Sequence, residues 1–164
     1  MKHIFVLNLR TSGLKDNYER SKVLKFERKE HRERQNNALK KFCKHFDLTY
    51  GSHEEYAHID AVLYNKGKLT GFAEVKGVHK NIEDKQDVIV AMRKVVQAQK
   101  LQVHSGKPVA IIWAFNNAIV YERINNLKGI FYYGGRKVRE GSTFDQEMLI
   151  KVLIKNLIRI EEND

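Results

Sequence analysis

HIDAVLYN (residues 58–65) and LTGFAEVKG (residues 69–77) are the two segments that decide the fold of this chain. Each is predicted to be a β-strand, and the short glycine-containing segment between them predicts a hairpin. Directly opposite residues of a hairpin have a constant index sum, and a turn centred on Gly67 makes that sum 134. The predicted register therefore places Asp60 opposite Glu74.

The alternation of side chains along these strands separates polar from apolar groups. Lys76 is expected on the same face as Glu74, where it pairs with His58 across the ladder. The opposite face is expected to be apolar and buried, and it comprises Ile59, Ala61, Leu63, Ala73 and Val75. A slip of one residue would offset Asp60 from Glu74, so the register is itself a prediction.

Two carboxylates on one rung repel each other, and their pKa values rise unless a cation lies between them. Mg²⁺ suits such a site because it prefers oxygen ligands and keeps several waters, and Mn²⁺ is expected to substitute for it. The predicted ligands are Asp60, Glu74 and the main-chain carbonyl of Val75. Lys76 would orient or deprotonate an attacking water and offset phosphate charge. These residue types therefore predict phosphodiester cleavage.

The acid-x-Lys spelling alone is weak evidence, because the chain contains it at Glu27–Lys29, Glu74–Lys76 and Glu83–Lys85. Only the second triplet lies in a predicted strand. The alternative to a metal site is a pair of edge-strand acids neutralised by a lysine. The depletion of acids from strands favours the metal site.

Asp60, thirteen intervening residues and then Glu74-Val75-Lys76, with a helix before and a helix and strand after, resemble the PD-(D/E)XK nuclease superfamily. The resemblance covers roughly residues 20–120, and Ile59 stands where the superfamily name has proline. It implies an α/β fold with an αβββαβ restriction-endonuclease-like core, in which helices flank a central mixed sheet. It also implies metal-dependent hydrolysis, with Asp60 and Glu74 as metal ligands and Lys76 catalytic.

Residues 15–46 predict one long or broken helix whose inward stripe is not wholly apolar. Glu27, His31 and Gln35 follow at four-residue steps on that stripe. One interpretation is a Glu27–His31 pair on a partly exposed helix. The other is that Gln35 or Glu27 reaches the metal or its waters, as the resemblance implies for this helix.

Residues 86–105 predict a second helix with one apolar stripe, and Gln99 falls in the middle of it. The stripe consists of Val88, Ala91, Met92, Val95, Val96 and Val103. Gln99 is predicted to be a catalytic residue, since the resembled superfamily often places a polar residue on this helix. The alternative is a core amide with its hydrogen bonds satisfied. Lys94, at the flank of the stripe, is a candidate phosphate contact.

The remaining segments complete the predicted architecture. Residues 108–116 and 118–124 predict two further strands, and residues 3–9 an added N-terminal strand. Thr143 and Gln146 form a plausible capping box, which predicts a C-terminal helix. In residues 129–141, cations beside aromatic residues predict nucleic-acid contacts, and the alternative is that these are ordinary strand residues. These cations are Arg136, Lys137 and Arg139.

Composition limits the protein class. The 164 residues predict one domain, residues 1–164. Residues 1–47 carry a net charge of +7 out of +10, which favours a polyanion such as nucleic acid, although acidic membranes also attract basic proteins. The lone Cys43 and the absence of a signal peptide or long apolar stretch predict a cytoplasmic protein without a membrane segment. The sequence contains no GxxxxGK[ST], HExxH, CxxC or GxSxG motif.

The sequence as a whole predicts a Mg²⁺-dependent endonuclease that acts on DNA. Two alternatives stay open, namely a basic nucleic-acid-binding module that does not cut and an RNA-directed nuclease. A homodimer is a natural arrangement for a small nuclease that cuts two strands.

Overall fold

The computed structural model describes residues 29–135 and 146–161, which contain two α-helices, four short 3₁₀ helices and nine strands. The helices are α1 (Lys29–His45) and α2 (Met92–Ser105). The strands are β1 (Thr49–Gly51), β2 (Ala61–Asn65), β3 (Lys68–Gly77), β4 (Asp87–Ala91), β5 (Val109–Ala114), β6 (Ile119–Arg123), β7 (Ile130–Gly135), β8 (Gln146–Leu153) and β9 (Ile158–Ile160). The chain divides into two compact units, residues 1–32 and 33–164. All of the strands named above belong to the second unit.

The main sheet has the strand order β1-β2-β3-β5-β6-β9. Strands β3 and β5 are parallel, and the other neighbours in this sheet are antiparallel. Helix α2 lies in the crossover between β3 and β5, as a parallel connection requires. The order α1, β1, β2, β3, α2, β5 confirms the predicted αβββαβ arrangement and mixed α/β class. A smaller antiparallel sheet has the order β4-β8-β7.

The β2–β3 hairpin has the predicted register at the end that contains Ala61 and Ala73. The turn and a bulge that produce this register were not predicted from the sequence. Lys66 and Gly67 form a two-residue turn with φ values of 47° and 76°, so Asn65 pairs with Lys68. One extra residue in β3, Thr70, then shifts the register by one, and its hydroxyl donates to the Leu63 carbonyl at 3.1 Å. Beyond this bulge Ala61 pairs with Ala73, which restores the predicted sum.

Both faces of the main sheet are buried. One face packs against α1 in a cluster that includes Ala38, Leu39, Phe42, Ala61, Leu63, Ala73, Val75 and Ile112. The other packs against α2 and the small sheet in a cluster that includes Val62, Phe72, Val90, Ala98, Ile111, Trp113 and Val152. The predicted apolar face is therefore correct for four of its five residues. Ile59 is the exception, because it lies in a turn before β2 and packs with the second cluster.

Two predicted helical regions are wrong. Residues 87–91 form strand β4 instead of the start of α2, because Val88 and Val90 alternate with more exposed neighbours and pair with β8. Val103, predicted to be buried, is 79% exposed. The predicted C-terminal helix is replaced by β8 and β9, and β8 pairs with both β4 and β7. These long-range pairings override the local helical spacing.

Several predictions concern residues outside the described ranges. They are the N-terminal strand at residues 3–9, Glu27, Thr143, and the cations Arg136, Lys137 and Arg139. Among the described residues, no helix is both long and apolar enough to cross a membrane.

Candidate active site

Asp60 is held onto strand β3 by a backbone hydrogen bond. It precedes β2, and its Oδ2 accepts from the Val75 amide at 2.7 Å. The Ala61–Ala73 pair is the last of the hairpin; Asp60 directly precedes Ala61 and Glu74 directly follows Ala73, in agreement with the predicted register. The short bond to Val75 fixes the carboxylate at this point of the sheet, although part of the residue is exposed.

Glu74 is a buried acid in the middle of the sheet. It is only 2% exposed, and it pairs with Ile111 of the neighbouring strand β5. Lys76 donates from Nζ to Glu74 Oε1 at 2.7 Å. A buried carboxylate without a partner is strongly unfavourable, so this ion pair is needed for the local fold.

A second lysine, on helix α2, reaches the same carboxylate. Lys94 Nζ lies 3.1 Å from Glu74 Oε1 and 3.2 Å from Oε2, and 3.4 Å from the His58 carbonyl oxygen. Sequence reasoning identified Lys94 only as a phosphate contact and missed its contact with Glu74. With the helix starting at Met92, Lys94 precedes the buried Ala98 and Leu101 by four and seven residues, which places it on the inward face.

The electrostatics of the four side chains are balanced. Burial, followed by the negative charge of Glu74, raises the pKa of Asp60. The hydrogen bond from Val75 and the charges of Lys76 and Lys94 oppose that rise. Two carboxylates and two ammonium groups sum to zero charge, so the site can accept further positive charge.

Gln35 joins helix α1 to the back of the site. Its Nε2 donates to the Val75 carbonyl oxygen at 3.3 Å, and its side chain is half-buried. Val75 thereby contacts the site through both backbone groups, because its amide binds Asp60 and its carbonyl binds Gln35. The sequence predicts that Gln35 reaches the metal or its waters. In the structure Gln35 donates instead to the Val75 carbonyl, which is itself a predicted metal ligand.

Two other predicted residues lie elsewhere than expected. His58 does not pair with Lys76, because β2 begins only at Ala61 and residues 53–60 form a short 3₁₀ helix and turns. His58 instead contributes its backbone carbonyl to Lys94. The inward position predicted for Gln99 is wrong: Gln99 is exposed, whereas Val95, Ala98 and Leu101 face the core.

The donor set fits a hard divalent cation that keeps part of its water shell. Within the described ranges, no three His, Cys, Asp or Glu side chains come together as a metal cluster. Asp60, Glu74 and the Val75 carbonyl instead offer oxygen atoms only, which suits Mg²⁺ or Mn²⁺ and does not suit a soft metal.

A cavity among the described residues lies away from this cluster. It has a volume of about 400 Å³ and lies where β5 begins, whereas Lys76 pairs with Trp113 near the end of β5. Its lining comprises Gln102, Gly106, Lys107, Pro108, Arg123, Asn125 and Asn126. This lining contains no carboxylate, so we place the candidate active site at Glu74.

Comparison with known proteins identifies a family for this chain. The sequence matches the family described as "Phage putative PDDEXK endonuclease" over residues 21–160. Among solved structures, the chain is similar to Hjc, a Holliday junction resolvase from the archaeal hyperthermophile Archaeoglobus fulgidus. The TM-score is 0.48 and the identity 10%, over 77% of this chain and 91% of the other. A search of curated proteins finds no match.

The matched family and the mixed α/β fold are those of a PD-(D/E)XK nuclease. The chain belongs to the phage PDDEXK endonuclease family, since the match spans most of its length. The resemblance to the superfamily that the sequence motif indicated is therefore confirmed.

Proposed function

We propose that this protein is a Mg²⁺-dependent endodeoxyribonuclease whose active site consists of Asp60, Glu74 and Lys76. The observation that carries the proposal is the placement of Asp60 and Lys76 beside the buried carboxylate of Glu74. Asp60 is bonded to the backbone next to Glu74, and Lys76 is 2.7 Å from Glu74 Oε1. A buried acid held between cations costs stability and is typical of a functional site.

In the proposed reaction, water attacks the phosphorus, a new P–O bond forms, the bond to the leaving ester oxygen breaks, and the proton lost by the attacking water passes through solvent to that leaving oxygen. Asp60 and Glu74, with the Val75 carbonyl, would hold the cation. When bound there, a divalent cation supplies Lewis-acid activation of water and stabilises the leaving oxygen. The carboxylates therefore act as positioning ligands, and the Val75 amide keeps Asp60 in place.

Lys76 would orient the attacking water and offset negative charge on the phosphate. Its Nζ donates to Glu74 in an ion pair, and an ammonium group has no lone pair with which to accept a proton. This pairing favours the positioning role over the role of general base. Because Lys76 is fixed by a buried partner, its charge stays preorganised where charge develops on the phosphate.

DNA is the proposed substrate for two reasons. The net charge of +10 favours binding of a polyanion. DNA also lacks the 2′-hydroxyl that RNA can use as an internal nucleophile, so its cleavage needs the external water that such a site supplies. Digestion of matched DNA and RNA side by side tests this choice.

The direct test of the function is cleavage of labelled linear, nicked, flap and four-way DNA. We expect cleavage with Mg²⁺ or Mn²⁺, none with EDTA, and loss of cleavage with retained DNA binding in Glu74→Ala and Lys76→Ala. Salt-dependent binding that survives Asp60→Ala, without any cleavage, would instead identify a binding module. Cleavage by the Glu74→Ala variant at the wild-type rate would refute the proposed site.

A further inference from the structure

Lys94 is positioned where it competes with a metal ion for Glu74. Its Nζ lies 3.1 Å from Oε1 and 3.2 Å from Oε2, so it spans both carboxylate oxygens. Lys76 contacts Oε1 at 2.7 Å. The Glu74 side chain is only 3% exposed, and that of Lys94 is 22% exposed. Lys94 is thus a partly accessible cation on a carboxylate that solvent hardly reaches.

The contact of Lys94 with Oε2 is hard to reconcile with a metal on the same oxygen. A Mg²⁺ ligand oxygen lies about 2.0–2.1 Å from the ion. An ammonium group that stays on that oxygen would lie within a few ångströms of a divalent charge, and such cations repel strongly in a site with little water. One of the two cations must therefore leave Oε2.

Lys94 has a second acceptor close by. The His58 carbonyl oxygen is 3.4 Å from its Nζ, in the turn that leads to Asp60. The amine can therefore move from Glu74 while it stays beside the site. Lys76 differs, because it lies on the same strand as Glu74 and its described contact with that carboxylate is to Oε1 only.

We propose that Lys94 is the internal counter-cation of Glu74 in the metal-free protein, that a divalent cation displaces it, and that the released ammonium group contacts the phosphate being cut. This inference rests on the proposed function. Displacement leaves Lys94 in the site, so one divalent cation brings the net charge of the four side chains from zero to +2. That charge matches the doubly negative phosphorane formed when hydroxide adds to a phosphodiester.

The test compares Lys94→Met with Lys100→Met, which removes the same charge from an exposed position of the same helix. Mn²⁺ binding is measured by calorimetry without nucleic acid, and single-turnover cleavage is measured at saturating Mn²⁺. We expect Lys94→Met to bind Mn²⁺ about fivefold more tightly, because a competing cation is gone. Its cleavage rate should fall about tenfold or more, because the phosphate loses a partner. Lys100→Met should match wild type in both.

Lys94→Arg keeps the charge and should keep Mn²⁺ affinity close to wild type. Glu74 stays paired with Lys76 in every Lys94 variant, so a folded protein is expected, and Lys94→Gln serves as a second charge-removing variant. Mn²⁺ binding by Lys94→Met that is equal to or weaker than wild type would overturn the inference. An unchanged cleavage rate at saturating Mn²⁺ would do so as well.

The outcome also separates this inference from the proposed function. If wild type binds Mn²⁺ and cuts DNA while Lys94→Met binds no more tightly, only the role of Lys94 fails. If wild type binds no Mn²⁺, both proposals fail together.

Discussion

Glu74 and Val75 are neighbours in β3, and each is only 2% exposed, yet they face opposite sides of the sheet. Val75 packs against helix α1 among apolar side chains, including Ala73 and Ile112. Glu74 points to the side of α2, where it is surrounded by Lys76 and Lys94. Two adjacent residues that are equally buried therefore lie in an apolar environment and in a charged environment, respectively.

The difference shows what each face contributes. Apolar burial at Val75 stabilises the fold by about 1.5–3 kcal/mol for a fully buried side chain of this kind. A buried carboxylate loses its hydration and recovers that loss only through its partners, so an apolar residue of similar size is often at least as stable. Stability therefore accounts for the apolar face, whereas the charged face is accounted for by the proposed catalysis.

The largest predicted effect is on the charged face. Lys76→Met should lower the rate of DNA cleavage on the order of 10³-fold, because a preorganised charge beside the phosphate is lost. Lys68→Met removes a lysine from an exposed position of the same strand and should leave the rate within about twofold. Single-turnover assays at saturating Mg²⁺ measure both. Equal rates for the two variants would contradict the role of Lys76.

A charge on the apolar face should be unfavourable for folding. Ala73 is 0% exposed and lies in the α1-side cluster of hydrophobic side chains, which offers a carboxylate no cation. Ala73→Asp should therefore lower the free energy of unfolding by about 3 kcal/mol or more. Ala57→Asp, the same change at an exposed position, should have an effect below about 0.5 kcal/mol. Urea unfolding measures both, and similar midpoints would contradict the buried, apolar character of the α1-side face.

Gln35 connects the two faces through the Val75 carbonyl, 3.3 Å from its Nε2. Gln35→Leu should lower cleavage about tenfold, because a residue that orients a metal ligand typically contributes that much. Gln97→Leu, at an exposed position of α2, is the matched control. A rate for Gln35→Leu equal to that of the control would restrict Gln35 to packing.

The smallest predicted effect concerns pH. Burial and the charge of Glu74 raise the pKa of Asp60 above its ordinary value of 3.8, so the folded metal-free protein holds this proton more tightly than the unfolded chain does. The stabilising contribution is present below pH 3.8 and is lost as the pH rises through the folded-state pKa.

At pH 7, Asp60→Asn should therefore stabilise the metal-free protein, by less than about 1 kcal/mol because solvent screens a partly exposed group. Asparagine can still accept from the Val75 amide. Thermal unfolding with EDTA at pH 7 and near pH 3.5 measures the gain, which should vanish at the lower pH. A gain of the same size at both pH values would contradict this explanation, and the exposed Asp84→Asn should show no gain.

The sequence predicts the charged cluster because its signals are local. Alternation in β2 and β3 and the glycine turn are enough to place Asp60 beside Glu74, even though the Thr70 bulge could not be foreseen. β5 and β6 were predicted for the same reason.

The errors lie where long-range contacts decide. Residues 87–91 and 146–153 contain both helical and strand spacings, and only their pairing with each other selects the strand. The misplaced start of α2 then displaced Gln99 inward in the prediction and hid the contact of Lys94 with Glu74. One helix boundary therefore accounts for both errors at the site.

The central claim is that Glu74, a buried acid, binds a catalytic metal ion. Calorimetric titration of Mn²⁺ into wild type, Glu74→Gln and Glu122→Gln tests it directly, since Glu122 on β6 is also buried, 7% exposed, and is not part of the cluster. We predict saturable binding to wild type and Glu122→Gln, and binding at least about tenfold weaker to Glu74→Gln. Equal Mn²⁺ affinity of Glu74→Gln and wild type would contradict the claim.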